Sequence, residues 1–409
     1  MFGINFLRFG DFMDNRNYVY EFEKKGFGLF VHFGLYSVLG AGEWEYNLGK
    51  VSGEKYNALT KKFKVKKDWA KSLVATAKKA GCRYITLTAR HHDGFSLYDT
   101  KGLNNFDAPH SAAGRDLVKE FVDECNNAGI TPFFYHTLLD WNEPTYRTDF
   151  KAYIDYLVKS IEILCTSYGK IGGLWFDGMW DKPDGDWQED RIYGTIRKYQ
   201  PQAMIINNTG LSELGKVGHP ELDSVTFERG KPAFVDNSDR HRAGEMCQIL
   251  NDHWGYAKKD VCYKSVKELI ENLIDCRKYG CNFLLNVGPT GNGTLKAIDR
   301  GILEEIGKWI RYNKNFIYDI KPCEITAENA DVVKAGDDYY AIIKDVSMSA
   351  DLNVQAGGKE KTVKINAPVK RASWLDNGKK VKLRNGEFAV GFFPYGTSMY
   401  ARVLKFNLK

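Results

Sequence analysis

From residue 26 to about 315 the chain repeats one unit: a short, almost wholly apolar run, a loop, then an amphipathic helix. The runs are FGLFVHF (27–33), RYITLTA (83–89), TPFFYH (131–136), GGLWFD (172–177), AMIIN (203–207), DSVTF (223–227), a weak segment around Gly244–Cys247, and NFLLNV (282–287). A strand apolar at nearly every position is one buried on both faces, the condition of a parallel sheet covered by helices. The segments between show the helical period. Trp69, Leu73, Ala77 and Ala80 share one face, as do Leu117, Phe121, Cys125 and Ala128, and Ile154, Leu157, Ile161 and Leu164. About eight strands alternating with helices predict an α/β fold of the (β/α)8-like barrel type. The connections between the fifth, sixth and seventh strands are too short for full helices, so the barrel is expected to be irregular there.

Near Pro322 the pattern changes to period-two alternation broken by turns at Asp337–Asp338, Gly357–Gly358, Asn377–Gly378 and Asn385–Gly386. Asn-Gly between extended segments is a strong hairpin signal. The chain thus reads as a barrel over residues 1–318 and a small antiparallel β-sandwich domain over 319–409. With 409 residues it is too long for one ordinary core.

Composition narrows the partners. The net charge of +6 is spread over the whole length, with Lys and Arg interleaved among Asp and Glu, which reads as solvated faces and not as a nucleic-acid footprint. No stretch approaches the roughly 20 apolar residues of a membrane span. None of the eight cysteines forms a C-x-x-C pair, and several fall inside expected helices or strands, so buried free thiols are expected over disulfides. The first residues lack a basic start followed by an apolar run, which leads to the expectation of a cytoplasmic location, a secreted form with its signal removed being the alternative.

In such a barrel the chemistry sits at the C-terminal ends of the strands. His32 ends the first. Arg90, His91, His92 and Asp93 follow the second, and Tyr135 and His136 end the third. Trp175 and Asp177 end the fourth, Asn207 and Asn208 the fifth and Glu228 the sixth, while Glu245 lies beside the seventh. A metal centre of the barrel-hydrolase type is poorly supported, because the first strand carries one His where such enzymes typically carry His-x-His. Aromatics make up 14% of the chain, and Trp44, Tyr135, Trp175 and Trp254 offer flat faces for a sugar ring. Two carboxylates flanking a glycosidic bond are the minimum for its hydrolysis.

The stretches GLFVHFGLYSV (28–38), EW (43–44), RYITLTARHHDGF (83–95), FYHTLLDW (134–141), LWFDG (174–178), EMCQILNDHWGY (245–256) and NFLLNVGPTGNG (282–293) together resemble glycoside hydrolase family 29, the α-L-fucosidases. The resemblance covers about Phe27 to Trp309. It implies a retaining, exo-acting hydrolase that removes terminal α-L-fucose from an oligosaccharide or glycoconjugate, without a cofactor. It puts the nucleophile at Asp177 and lines the fucose pocket with His32, Glu43, Trp44, His91, His92, Tyr135, Trp175 and Trp254, the last against the C5 methyl. The acid/base is assigned to Glu228, in FERGKP after the sixth strand, with Glu245 as the alternative. Two departures stand out. Many members carry Arg in an N-D-R stretch after the fifth strand, where this chain has Asn207-Asn208-Thr209, and the Trp that often precedes E-M-C is Gly244. The rival readings are a non-catalytic fucose-binding protein and a metal-dependent barrel hydrolase.

Overall fold

The apolar runs pair in chain order into a closed parallel barrel in a computed structural model of the protein, which describes residues 16–211, 213–351, 354–355 and 360–409. Its strands are β1 (Phe27–Val31), β2 (Tyr84–Arg90), β3 (Thr131–Thr137), β4 (Gly173–Asp177), β5 (Met204–Asn207), β6 (Ser224–Thr226), β7 (Ala243–Ile249) and β8 (Asn282–Val287), with β8 pairing back onto β1. The seventh, weak in the sequence, is a full seven-residue strand buried throughout. It reads as weak because Gly244, Glu245 and Gln248 interrupt its apolar run, and Glu245 is buried with polar partners inside the barrel. Alternation decides the faces. Phe30, Tyr84, Phe133, Tyr135, Trp175 and Ile206 fill the interior, while Leu29, Ile85, Leu87, Phe134 and Leu174 pack into the core shared with the outer helices.

Six long helices cover the barrel: Trp69–Ala80, Leu117–Ala128, Phe150–Ser167, Glu189–Tyr199, Val266–Lys278 and Ala297–Tyr312. Among the described residues no α-helix lies between β5 and β6 or between β6 and β7, which is the irregularity expected from the loop lengths. A short helix, Asn17–Glu23, closes the N-terminal end of the barrel. Its Val19 and Phe22 join the interior cluster, and Asn282 at the foot of β8 donates to the Phe22 carbonyl (2.7 Å). Among the described residues no helix is long and apolar enough to cross a membrane. All eight cysteines are free, and six of them are buried.

The C-terminal part is built from antiparallel sheets. Strands Asp331–Ala335, Asp338–Lys344, Ala401–Leu408 and Val369–Trp374 form one sheet, and Glu387–Val390, Lys361–Ile365 and Ala327–Glu328 a second. Between them lie Ala341, Ile343, Leu404, Phe406, Val363 and Phe388. The alternate residues of the first sheet, Tyr340, Ile342 and Val403, join the barrel's core cluster instead, so this sheet is buried on both faces. Trp309 Nε1 donates to the Ala401 carbonyl (3.2 Å), and Lys344 pairs with Asp275 (2.9 Å) across the same junction. One further pairing, Met348–Asp351 with Phe393–Pro394, is parallel, a local exception to the antiparallel pattern. The turns at Asn377–Gly378 and Asn385–Gly386 are present, with Gly378 and Gly386 at φ +71° and +82°. The first hairpin turns at Gly336–Asp337, one residue earlier than read, because Asp338 already pairs with Ala335. The Gly357–Gly358 turn lies outside the described residues.

Phe22 packs against Tyr84 and Phe133, with ring centroids 5.3 and 5.5 Å away. Phe22→Ala is expected to cost about 3–5 kcal/mol through lost burial and an unfilled cavity. Chemical denaturation reads this as a lowered midpoint, and an unchanged midpoint would show that the helix does not stopper the barrel.

Candidate active site

The polar strand-end residues gather round one cavity of about 430 Å³ at the C-terminal mouth. That size falls within the roughly 300–1,000 Å³ of small-molecule pockets. Its wall contains His32, Glu43, Trp44, His91, His92, Tyr135, Trp175, Asp177, Glu228 and Trp254, that is, each residue expected there from the sequence except Glu245. His91 and His92 lie just beyond the end of β2, in the turn after Arg90, where their rings come within 4.3 Å of each other. Side by side on a strand they would face opposite ways.

Alternation also explains which strand-end residues stay out. His136 is buried outside the barrel against Ser160 (2.8 Å), while Tyr135 points in. Asn207 donates to Tyr193 (2.9 Å), and Asp93 accepts from Tyr56 (2.6 Å) away from the cavity.

Asp177, the last residue of β4, stands at the centre. Its Oδ2 accepts from the Tyr135 hydroxyl (3.1 Å) and lies 3.4 Å from His92 Nε2, and its Oδ1 accepts from Trp180 Nε1 (3.2 Å) and Asn208 Nδ2 (3.4 Å). The His92 ring is oriented from behind. The Thr137 hydroxyl donates to the Leu139 carbonyl, so it accepts from His92 Nδ1 (2.7 Å), and Nε2 faces Asp177 and donates to it when the ring carries both protons. Burial alone would raise the Asp177 carboxyl. The contacts from His92, Trp180 and Tyr135 outweigh it and hold the group below the usual carboxylate range.

Glu228 behaves in the opposite way. Burial and the neighbouring charge of Asp177 push it up to about 7, against the hydrogen bond it accepts from Asn208 Nδ2 (2.5 Å). One nitrogen therefore reaches both carboxylates. Its 3.4 and 2.5 Å contacts laid end to end put Asp177 Oδ1 and Glu228 Oε2 at most about 5.9 Å apart. The cavity thus holds one carboxyl that ionises below the usual range and one that holds its proton up to about 7.

Two further imidazoles on the wall are neutral. Burial drives His32 down to about 3 and His91 well below the ordinary imidazole value. Asn286 donates to the Trp254 carbonyl (2.7 Å), so its oxygen accepts from His32 Nδ1 (2.6 Å), which leaves His32 Nε2 as an acceptor. Glu43 accepts from the Gly255 amide (2.8 Å) and ties the loop after β1 to the loop after β7. A side chain at Gly255 would meet the Tyr36 ring at 2.9 Å, so only glycine permits that approach. Trp254 packs edge-on to Phe30, and Trp44 stacks with Trp180 at 6.0 Å.

Glu245 lies lower. It pairs in register with Asn282, the first residue of β8, and accepts from Trp175 Nε1 (2.9 Å) and the Tyr84 hydroxyl (2.5 Å). Burial raises it to about 7 as well, but its oxygens are engaged beneath the cavity floor. Asn208 and Trp180 are the contacts that sequence reading left without a role. Asn208 was legible only as the residue after β5, and Trp180 sits on a turn, Met179–Asp181, beyond β4. Among the described residues no three His, Cys, Asp or Glu side chains are grouped to hold a metal ion.

The family model described as α-L-fucosidase matches residues 11–315. The α-L-fucosidase of Dictyostelium discoideum is 27% identical over 73% of this chain and 71% of its own length. The tissue α-L-fucosidase of Mus musculus is 28% identical over 77% and 75%. Among solved structures, α-L-fucosidase isoenzyme 1 from Paenibacillus thiaminolyticus superposes with a TM-score of 0.82 at 27% identity, covering 96% of this chain and 99% of that one.

Removing Glu245 should act on the scaffold. Glu245→Ala strands the Tyr84 hydroxyl and the Trp175 indole N–H inside the barrel, at about 1–3 kcal/mol for each unsatisfied donor. Glu245→Gln keeps an acceptor and should retain most of the stability. Equal unfolding midpoints for the alanine variant and wild type would contradict this placement.

Proposed function

The chain belongs to the α-L-fucosidase family and is a glycoside hydrolase, and on that premise we propose that it removes terminal α-L-fucose from fucosylated glycans with retention of configuration. The observation that carries the reading is the pair Asp177 and Glu228: two carboxyls of opposed proton affinity on one cavity, joined through Asn208. Retaining glycosidases hold their carboxyls about 5–5.5 Å apart, a separation compatible with the shared amide contact.

In the first step an Asp177 oxygen attacks the anomeric carbon as the glycosidic bond breaks. The proton of Glu228 passes to the departing oxygen, and a covalent fucosyl-enzyme forms. In the second step the Glu228 carboxylate takes a proton from water, the oxygen of that water bonds to the anomeric carbon, and Asp177 leaves as a carboxylate. His92 and Tyr135 hold Asp177 ionised for the attack. His32, with Nε2 as acceptor, and His91 receive the sugar hydroxyls, and Trp254 supplies the apolar wall for the C5 methyl. The small cavity suits one terminal residue, which makes the action exo.

The deciding experiment is Asp177→Ala. Turnover of an aryl α-L-fucoside should fall by several orders of magnitude in a folded protein, since the nucleophile supplies the reaction path. Added azide should restore part of it as the β-fucosyl azide. Near-normal turnover without azide would overturn the assignment.

Glu228 makes a separate prediction. The profile of kcat/KM against pH should be a bell, rising as Asp177 ionises below the ordinary carboxylate range and falling as Glu228 loses its proton near 7. Glu228→Ala should lose the alkaline limb. It should slow sugar leaving groups far more than activated aryl ones, and azide should return product of retained α configuration. Should Glu245→Ala show that signature instead, the acid/base role moves to Glu245.

A further inference from the structure

We propose that Asn208 is a positioning residue whose single amide donates one N–H to each of Asp177 and Glu228 and so stabilises the one negative charge that alternates between them during turnover. The inference rests on the reading of that pair as nucleophile and acid/base.

The orientation of the amide is over-determined. The Asn208 backbone N–H donates to the Phe176 carbonyl (2.9 Å), which fixes the residue at the end of β5 beside β4. Its Oδ1 accepts from the Thr226 hydroxyl (2.9 Å). With the oxygen taken, the nitrogen must face the carboxyls, and its two hydrogens serve Asp177 Oδ1 (3.4 Å) and Glu228 Oε2 (2.5 Å).

The chemistry gives this geometry its meaning. Before reaction the charge is on Asp177 and the proton on Glu228. When Asp177 becomes an ester it loses its charge, and the proton that left with the departing oxygen leaves the charge on Glu228. The second step reverses both changes. The pair therefore carries one negative charge in each state, but at alternating ends. A donor already placed at both ends stabilises it in both states with no side chain reorienting. A carboxamide suits the task because it is neutral. An arginine or lysine here would favour ionisation of both carboxyls at once, and an aspartate would repel them.

The other groups acting on the pair do not bond to both members. Arg229 and Glu43 act on Glu228 with opposite signs, and the contacts of His92, Trp180 and Tyr135 are made to Asp177. Asn208 is the contact common to both.

The test is the pH profile of kcat/KM on an aryl α-L-fucoside. Asn208→Ala withdraws a donor from each ionised carboxyl, so both carboxyls hold their protons to higher pH. Both limbs of the bell should move upward by about one pH unit. Turnover should fall about 10- to 100-fold for aryl and sugar leaving groups alike, because both steps lose the donor. Azide should not rescue it. Thr226→Val leaves the amide in place but frees it to rotate, and should shift both limbs in the same direction by less, while Thr226→Ser restores the wild-type profile. Limbs that superimpose on wild type in folded Asn208→Ala would overturn the proposal however far turnover falls. If that variant does not fold, unshifted limbs in Thr226→Val would do the same. A wild-type protein inert toward aryl α-L-fucosides defeats the functional reading and this inference with it. An active wild type with unshifted variants defeats the inference alone.

Discussion

Closure of a parallel barrel leaves each strand residue two directions to face, the interior or the helices, and much of this molecule follows from that constraint. Strands buried on both faces must be apolar nearly throughout, so polar side chains are concentrated at or just past the strand ends, where they reach the mouth. Tyr135 and His136 are neighbours in sequence, yet one serves the cavity and the other is held by Ser160 behind β3. Asn207 and Asn208 divide in the same way, one to Tyr193 and one to the two carboxyls.

The site then works through unequal treatment of like groups. Asp177, Glu228 and Glu245 are carboxylic acids in one barrel, and burial acts to raise all three. Asp177 alone has contacts strong enough to reverse the effect of burial, from His92, Trp180 and Tyr135. Glu228 is left beside that charge and holds its proton up to about 7. Glu245 is turned to structural use by register: opposite the foot of β8 it can meet Tyr84 and Trp175 but not the cavity. The indole it holds forms part of the cavity wall, so an interior carboxyl supports the surface on which the sugar is proposed to rest.

The C-terminal sheets extend this burial to the outside of the barrel. Their first sheet turns one set of alternate residues inward to its own sandwich and the other toward the core that includes the helices Val266–Lys278 and Ala297–Tyr312. Those helices follow β7 and β8, so the sheet backs the part of the barrel whose strands carry Glu245 and Asn286.

The one-dimensional pattern was enough to read the eight strands, their parallel order, the gap in helices after β5 and the change to antiparallel β structure in the C-terminal part, because burial on both faces and period-two alternation are properties of consecutive residues. The resemblance of scattered stretches to one hydrolase family brought Asp177, Glu228 and the aromatic wall into view. What it left open was the choice between Glu228 and Glu245 as the second carboxyl of the cavity, the meeting of His91 and His92 in a turn, and any role for Asn208 and Trp180. Each of these depends on a distance between segments far apart in the chain: Glu245 on its register with Asn282, Asn208 on a threonine 18 residues away that fixes which end of its amide faces the carboxyls. Periodicity assigns a side chain to a face, but its proton affinity and its partners come from neighbours that only the closed barrel brings within hydrogen-bonding reach.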